Sequence, residues 1–205
     1  MTATRPIVRD AFRDEASAFR AGRLGLRIFL ASLGMLFAAA MIGSIIVLRD
    51  VAPLAPDLTV PPLPRLLVAS TGVLLLSSAS MQWALVGVRA GRQSPLRGGL
   101  LITLALGAGF LVLQGACWLQ WQREVAAQWE QAHDARYLLA AFHVLTGMHA
   151  LHVVGGLMPM LLVARRALAG RYSPVRHAGV HYVAMYWHFL GVVWVMLYAT
   201  LLMLM

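Results

Sequence analysis

The chain has 205 residues, of which 60% are hydrophobic and only 12% are charged. This composition excludes an ordinary soluble globular domain and indicates a protein whose solvent is a lipid bilayer. The formal net charge of +9 would suit a nucleic-acid ligand, but nearly all of it lies in loops on one side of the predicted membrane. We therefore expect no nucleic-acid partner.

Five apolar runs follow one another, and each is long enough to cross a hydrocarbon core, which takes about 20 helical residues. None contains Asp, Glu or Arg, each of which costs about 2.5–3.5 kcal/mol at the centre of an inserted helix. Residues 1–24 are expected to form a cytoplasmic segment without the apolar core of a signal peptide, and residues 25–205 the membrane domain. We predict an all-α membrane protein, a bundle of five transmembrane helices over residues 28–48, 66–88, 99–121, 137–164 and 181–204.

The arginines indicate the topology. Thirteen of the 17 basic residues lie in the N-terminal segment and in the loops after the second and fourth helices, whereas four lie on the opposite side beside five acidic residues. By the positive-inside rule, the N-terminus is predicted to be cytoplasmic and the C-terminus periplasmic. The first external loop, residues 51–64, carries five of the nine prolines and is expected to be an extended surface strap.

The aromatic residues form two groups. Trp187 and Trp194 lie in the middle part of the last helix beside His188. Because an indole N–H at that depth needs an acceptor, we expect this face of the last helix to meet protein. The other group lies near the predicted outer interface and is typical of an aromatic belt: Trp118, Trp121, Trp129 and Tyr137.

The fourth helix carries three histidines, His143, His149 and His152, within an otherwise uncharged run. His149 and His152 are three residues apart and share a face, whereas His143 points about 120° away. Burying such a polar group without a partner costs roughly 2–7 kcal/mol. Two interpretations stay open: together with His188 these side chains ligate a metal or a b-type haem, or they bond to other helices or to a lipid phosphate.

The residues offer little for catalysis by this chain alone. The spans hold no carboxylate for a proton relay, and the single cysteine, Cys117, forms no metal or redox motif. A transporter is disfavoured because the spans show neither an intramembrane ion pair nor an inverted repeat. We expect no catalytic residue, metal site or cofactor site in this chain.

Two motifs lie on the last two predicted helices: Thr146-Gly147-x-His149-x-x-His152-Val153-x-x-Gly156 and Tyr186-Trp187-His188-Phe189-x-x-Val192-Val193-Trp194. They resemble the last two helices of subunit III of the haem-copper oxidases, the cytochrome c oxidase subunit III family. Weaker matches, which include Gln114 on the third helix and Arg49 at the end of the first, extend the likeness from about residue 23 to the C-terminus. Many members have seven helices, and this chain is similar to a shorter bacterial form that lacks the first two.

The resemblance implies a non-redox accessory subunit of a terminal respiratory oxidase in the bacterial cytoplasmic membrane. Such a subunit packs on subunit I in a complex that also contains subunit II, binds phospholipid, and supports stability and proton uptake. Haem and copper are expected in the partner subunits, and another chain that supplies the two missing helices is a further expected partner. Cytochrome c is the expected electron donor and oxygen the acceptor. A quinol oxidase, a nitric oxide reductase and a haem-b membrane anchor are the alternatives.

The resemblance also supplies candidate site residues and three departures. Acidic residues are usual in the family at the positions of Leu33, Cys117 and Gly191. Any role of those acids in holding lipid, histidine or protons therefore has no counterpart in these side chains. The residues expected to contact lipid or a neighbouring subunit are His143, Thr146, His149, His152, Tyr186, Trp187, His188, Trp194, Gln114 and Arg49.

Overall fold

A computed structural model describes residues 15–51, 63–128 and 135–204. Within these ranges every regular element is a helix, and all five helices are long and apolar enough to cross a membrane. The predicted all-α architecture with five spans is confirmed. The helices are α1 (Glu15–Val51), α2 (Leu66–Arg89), α3 (Gln93–Gln128), α4 (Ala135–Leu168) and α5 (Ala178–Leu204).

Some helices extend well beyond the predicted spans. α1 begins at Glu15 rather than at residue 28, and α3 ends at Gln128 rather than at residue 121. Hydropathy marks only the part of a helix that crosses the hydrocarbon core, whereas the backbone hydrogen bonds continue beyond it. Residues 15–24 therefore continue α1, and the side of the membrane on which they lie stays a prediction. Most of the predicted proline-rich strap, residues 52–62, and Trp129 lie outside the described residues.

The bundle is built around a close pair of helices, α2 and α3. α3 also packs on α4, α5 packs on α4 and α2, and α1 packs on α4 and α5. Close approach of α2 and α3 depends on glycine: a Cβ built on Gly99 would lie 2.7 Å from the Cβ of Ala84 and from the carbonyl oxygen of Ser80. In lipid, where apolar burial does not drive helices together, such backbone proximity is a main source of packing energy.

Both connections at one end of the bundle are short, and we call this the inner end. The turns after α2 and α4 contain Gly91 and Gly170, whose φ angles are +72° and +69°. These left-handed conformations favour glycine because it has no Cβ. The Nε of Arg97 donates to the carbonyl of Ala167 over 3.1 Å, which ties the start of α3 to the end of α4. The inner end carries the arginines that predict a cytoplasmic location.

The core contains most of the large aromatic side chains. Trp121, which we interpreted as part of an interfacial belt, is wholly buried, and its ring lies 4.4 Å from that of Phe142. That interpretation is wrong for Trp121 because α3 and α4 extend far enough to enclose the indole. The predicted contact of Trp187 and Trp194 with protein is confirmed, since they are 1% and 0% exposed.

Candidate functional site

His149 lies at the centre of the bundle, where four helices meet. Its side chain is fully buried, and its Nε2–H donates to the carbonyl of Leu190 on α5 over 3.1 Å. Its ring lies 4.9 Å from that of Trp194 and 5.6 Å, edge-on, from that of Phe110. The ring therefore fills space between α3, α4 and α5 and holds α5 by a hydrogen bond.

His152 lies one turn further along α4 and is half-buried. Its Nδ1–H donates to the carbonyl of Met148 over 2.7 Å, and its ring meets that of Phe37 on α1 edge-on at 5.2 Å. The carbonyl of His152 in turn accepts the hydroxyl of Tyr186 at 3.0 Å. This residue thus joins α4 to both α1 and α5.

The other end of the motif on α4 packs against α3. Thr146 accepts a hydrogen bond from the Nε1–H of Trp118 at 2.9 Å and donates one to the carbonyl of Phe142 at 2.6 Å. His143 bonds through Nδ1 to the carbonyl of Leu139 at 2.8 Å and through Nε2 to the amide of Gln122 at 3.1 Å. These two residues link α3 and α4, so Trp118 also has a protein partner.

The tryptophans of α5 hold the centre together by their indole N–H groups. Trp187 donates to the hydroxyl of Ser77 at 3.0 Å, and Trp194 donates to the hydroxyl of Thr71 at 2.9 Å. Glycine makes room for the first indole, because a Cβ on Gly107 would lie 2.7 Å from its ring. Both tryptophans therefore tie α5 to α2, and each indole N–H has the hydrogen-bond acceptor that a polar group at membrane depth needs.

The remaining candidates do not join this set. His188 is half-buried, with its Nε2 buried and unpartnered, and Gln114 is buried with neither amide atom partnered. Arg49 is exposed in the last turn of α1. Among the described residues no three His, Cys, Asp or Glu side chains lie close enough to hold one metal ion.

Burial divides the ten candidates. The buried ones contact other helices of this bundle, and their contact with lipid or a neighbouring subunit stays a prediction. The exposed and half-buried ones keep that prediction: Arg49, His143, His152, Tyr186 and His188. The buried ones are Gln114, Thr146, His149, Trp187 and Trp194.

A cavity that the sequence analysis missed opens at the inner end. It has a volume of about 760 Å³, and its walls come from the start of α1, the end of α4 and the α4–α5 connection. Its polar lining includes Arg166, Arg171, Tyr172, Arg176, His177 and Tyr182. The sequence prediction treats these arginines only as a topology signal, although their grouping around a single connection also indicates a site.

Tyr172 illustrates the electrostatics of this basic pocket. Burial raises the pKa of its phenol above the usual value of 10.0, while the nearby charge of Arg166 acts in the opposite direction. The phenol is therefore neutral at physiological pH and able to donate a hydrogen bond. Together with several guanidinium groups it gives the pocket the chemistry of an anion site.

An apolar groove of about 420 Å³ lies next to this pocket. Its walls come from α1, α4 and α5, and Tyr182 lines both spaces. The hydroxyl of Tyr182 donates to the carbonyl of Phe19 at 3.0 Å, which holds the dividing side chain against α1. The groove is lined by Leu26, Phe29, Gly155, Pro159, Tyr182, Val183 and Tyr186.

Comparison with known proteins identifies the family. The family model described as Cytochrome c oxidase subunit III matches residues 14–204. This chain belongs to the cytochrome c oxidase subunit III family. The match includes all of the tryptophan and histidine contacts described above, and the resemblance drawn from the two motifs is confirmed.

Curated relatives give the same result. The chain is 30% identical to cytochrome c oxidase subunit 3 of Mus musculus over 185 residues, which are 87% of this chain and 68% of the mouse protein. It is 31% identical to the probable cytochrome c oxidase subunit 3 of Nocardia farcinica over 137 residues, 67% of this chain and 65% of that protein. For the Anopheles gambiae subunit the values are 33% over 132 residues, 64% and 47%. The chain thus spans between about half and two thirds of these relatives.

Proposed function

We propose that this subunit III protein is a non-redox accessory subunit of a bacterial terminal oxidase. It packs on subunit I in a complex with subunit II, in the cytoplasmic membrane, and haem and copper belong to those partners. The complex reduces oxygen with electrons from cytochrome c. The match of the family model over residues 14–204 carries this proposal.

The geometry of the histidines supports an accessory role over the haem-anchor alternative. His149 and His152 each use one ring nitrogen to bond a backbone carbonyl. Phe37, Phe110 and Trp194 fill the space beside the imidazole of His149. An axial haem ligand needs an open slot for the macrocycle beside its coordinating nitrogen, and aromatic rings fill the space beside the imidazole of His149.

Phospholipid binding is supported by the two adjoining spaces near the inner end. The basic pocket offers arginines for a phosphate-bearing headgroup, and the groove beside it offers an apolar wall for an acyl chain. Arginine suits phosphate because its guanidinium donates two parallel hydrogen bonds. Because Tyr182 lines both spaces, one lipid could lie across this side chain with its headgroup in the pocket and an acyl chain in the groove.

The groove also supports a partner beside α1. This helix packs only on α4 and α5 among its principal neighbours, and the groove lies between the three. We propose that a hydrophobic helix of another chain, or ordered acyl chains, cover this face. Contact with lipid and protein on this face is also the way in which the subunit would support the stability of the complex and its proton uptake.

The identity of the complex is tested by purification through a tag on this chain. We expect co-purification of a haem- and copper-bearing subunit I and of subunit II, with oxygen consumption driven by reduced cytochrome c. Activity with quinol only, or with nitric oxide as acceptor, would reassign the complex within the same superfamily. Stoichiometric haem in the separated chain would overturn the accessory role.

The lipid site is tested by a pair of adjacent arginines. Arg166 lines the basic pocket, whereas Arg165 is exposed and does not. We expect Arg166→Gln to lower the amount of anionic phospholipid retained by the purified complex, measured by native mass spectrometry, and Arg165→Gln to leave it unchanged. Equal retention in the two variants would contradict the assignment of the headgroup to this pocket.

A further inference from the structure

Gln114 and His149, two polar side chains in the interior of the bundle, carry atoms that no protein group satisfies. Gln114 on α3 is 1% exposed, and neither its Oε1 nor its Nε2 has a partner; His149 on α4 is 0% exposed, and its Nδ1 has none. A buried polar atom without a hydrogen bond costs about 1–3 kcal/mol. Two such residues in one interior call for a shared explanation.

The register of α3 against α4 places these residues at one depth. The two helices run antiparallel, and Trp121 meets Phe142 while Trp118 bonds Thr146. The next inward position on α3, one turn before Trp118, is Gln114. The next inward position on α4, one turn after Thr146, is His149. Phe110, one turn beyond Gln114, packs edge-on against the ring of His149, so this part of α3 lies beside His149.

The chemistry of the unpaired atoms is complementary. Because the Nε2 of His149 bonds a carbonyl oxygen, that nitrogen carries the proton, and the Nδ1 is a bare acceptor. It therefore needs a donor. The amide of Gln114 presents both a donor and an acceptor, so a molecule between the two residues can bond to each.

The register of α2 against α3 places a third polar group at the level of Gln114. Ser80 bonds Thr103 across these antiparallel helices, and Ser70 lies ten residues before Ser80 while Gln114 lies eleven residues after Thr103. Ser70 on α2 is fully buried, and its hydroxyl proton is used in a bond of 3.0 Å to the carbonyl of Leu67. The next residue, Thr71, accepts the indole of Trp194, whose ring packs on both Phe110 and His149. The oxygen of Ser70 is left to accept a bond from the same interior.

We propose that Gln114 and His149 hold an internal water molecule between α3 and α4. The water donates one hydrogen to the Nδ1 of His149 and the other to the hydroxyl oxygen of Ser70 on α2. It accepts a hydrogen bond from the amide Nε2 of Gln114. Buried waters typically make about three such bonds to groups that would otherwise be unsatisfied. This water holds His149 in the tautomer that ties α4 to α5.

The test is solid-state NMR of the assembled complex in bilayers, with this chain carrying ¹⁵N-histidine and the His149 signal assigned through labelled Met148 and Ala150. We expect a protonated Nε2, an unprotonated Nδ1, and rapid polarisation transfer from water protons to that Nδ1. Gln114→Met, which keeps the shape but removes the amide, should abolish the transfer. Gln120→Met, at an exposed position on the same helix, is the matched control and should retain it.

Each other outcome overturns the proposal. A protonated Nδ1 would contradict the tautomer, and absence of water transfer in the wild-type complex would show a dry interior. A direct coupling between the Gln114 amide and Nδ1 would replace the water by a side-chain bond. The wild-type measurement decides these points even if Gln114→Met fails to assemble, and retained transfer in that variant would also exclude the site.

Discussion

The aromatic core and the basic pocket use their polar side chains in different ways. In the core, the indoles of Trp187 and Trp194 and the imidazole of His149 reach acceptors within the chain. At the inner end, arginines and tyrosines surround an open space of about 760 Å³. Polar groups in the core therefore hold the fold by bonds within the chain, whereas several of those at the inner end line an open space.

This difference implies that substitutions in the core damage assembly, and that those in the pocket change what the assembled protein binds.

The largest expected effect is at the indole of Trp187. Its replacement leaves a large cavity and removes the donor to the oxygen of Ser77, so Trp187→Ala should lower the free energy of unfolding by about 3–5 kcal/mol. Thermal unfolding of the purified complex measures this loss. Trp83→Ala is the control, because Trp83 is 49% exposed, and a similar loss there would break the comparison.

The next effect concerns the glycine that admits Tyr186 to the side of α4. A Cβ on Gly156 would lie 2.7 Å from the Cε1 of Tyr186, so Gly156→Ala should cost about 1–3 kcal/mol through overpacking. The apparent melting temperature of the complex reports it. Gly109→Ala on α3 meets nothing within 4 Å and should not lower that temperature, since Ala favours a helix more than Gly does; an equal fall in both variants would contradict the packing explanation.

A smaller effect is expected where one interhelical hydrogen bond is removed, together with a bond within the same helix, and no cavity is left. Thr71→Val deletes the acceptor of the Trp194 indole, and interhelical bonds of this kind in membranes average about 0.6 kcal/mol. Chemical unfolding of the complex in mixed micelles would detect it. Ser32→Ala loses only a bond to its own helix and serves as the reference; no difference between these variants would mean that the indole finds another acceptor.

The smallest effect is expected in the pocket and depends on pH. Burial raises the pKa of Tyr172 in the folded chain, so the unfolded chain loses that proton first. The stabilising contribution is complete below the unfolded pKa of about 10 and is lost as pH rises through the folded value. Tyr172→Phe should flatten the decline in melting temperature above about pH 10, and an unaltered slope would exclude Tyr172 as its source.

The sequence predicted the centre of the molecule better than its ends. Five apolar runs without charge require five helices, because the bilayer leaves few other folds for a backbone. The depth of Trp187 and Trp194 in the last run correctly indicated contact with protein. The starts and ends of α1 and α3 were not predictable in this way. Hydropathy falls where the hydrocarbon core ends, whereas the helical hydrogen bonds continue beyond it.

Local pattern thus determined the fold class, the number of spans and the family, because each depends on residues within one helix or one motif. Tertiary structure decided which polar groups are partners. The bond from Trp187 to Ser77 joins residues 110 positions apart, and the basic pocket joins the start of α1 to the connection before α5. Such pairings depend on how the helices pack and on which glycines let them approach, and periodicity along one helix carries no information about the helix that lies opposite.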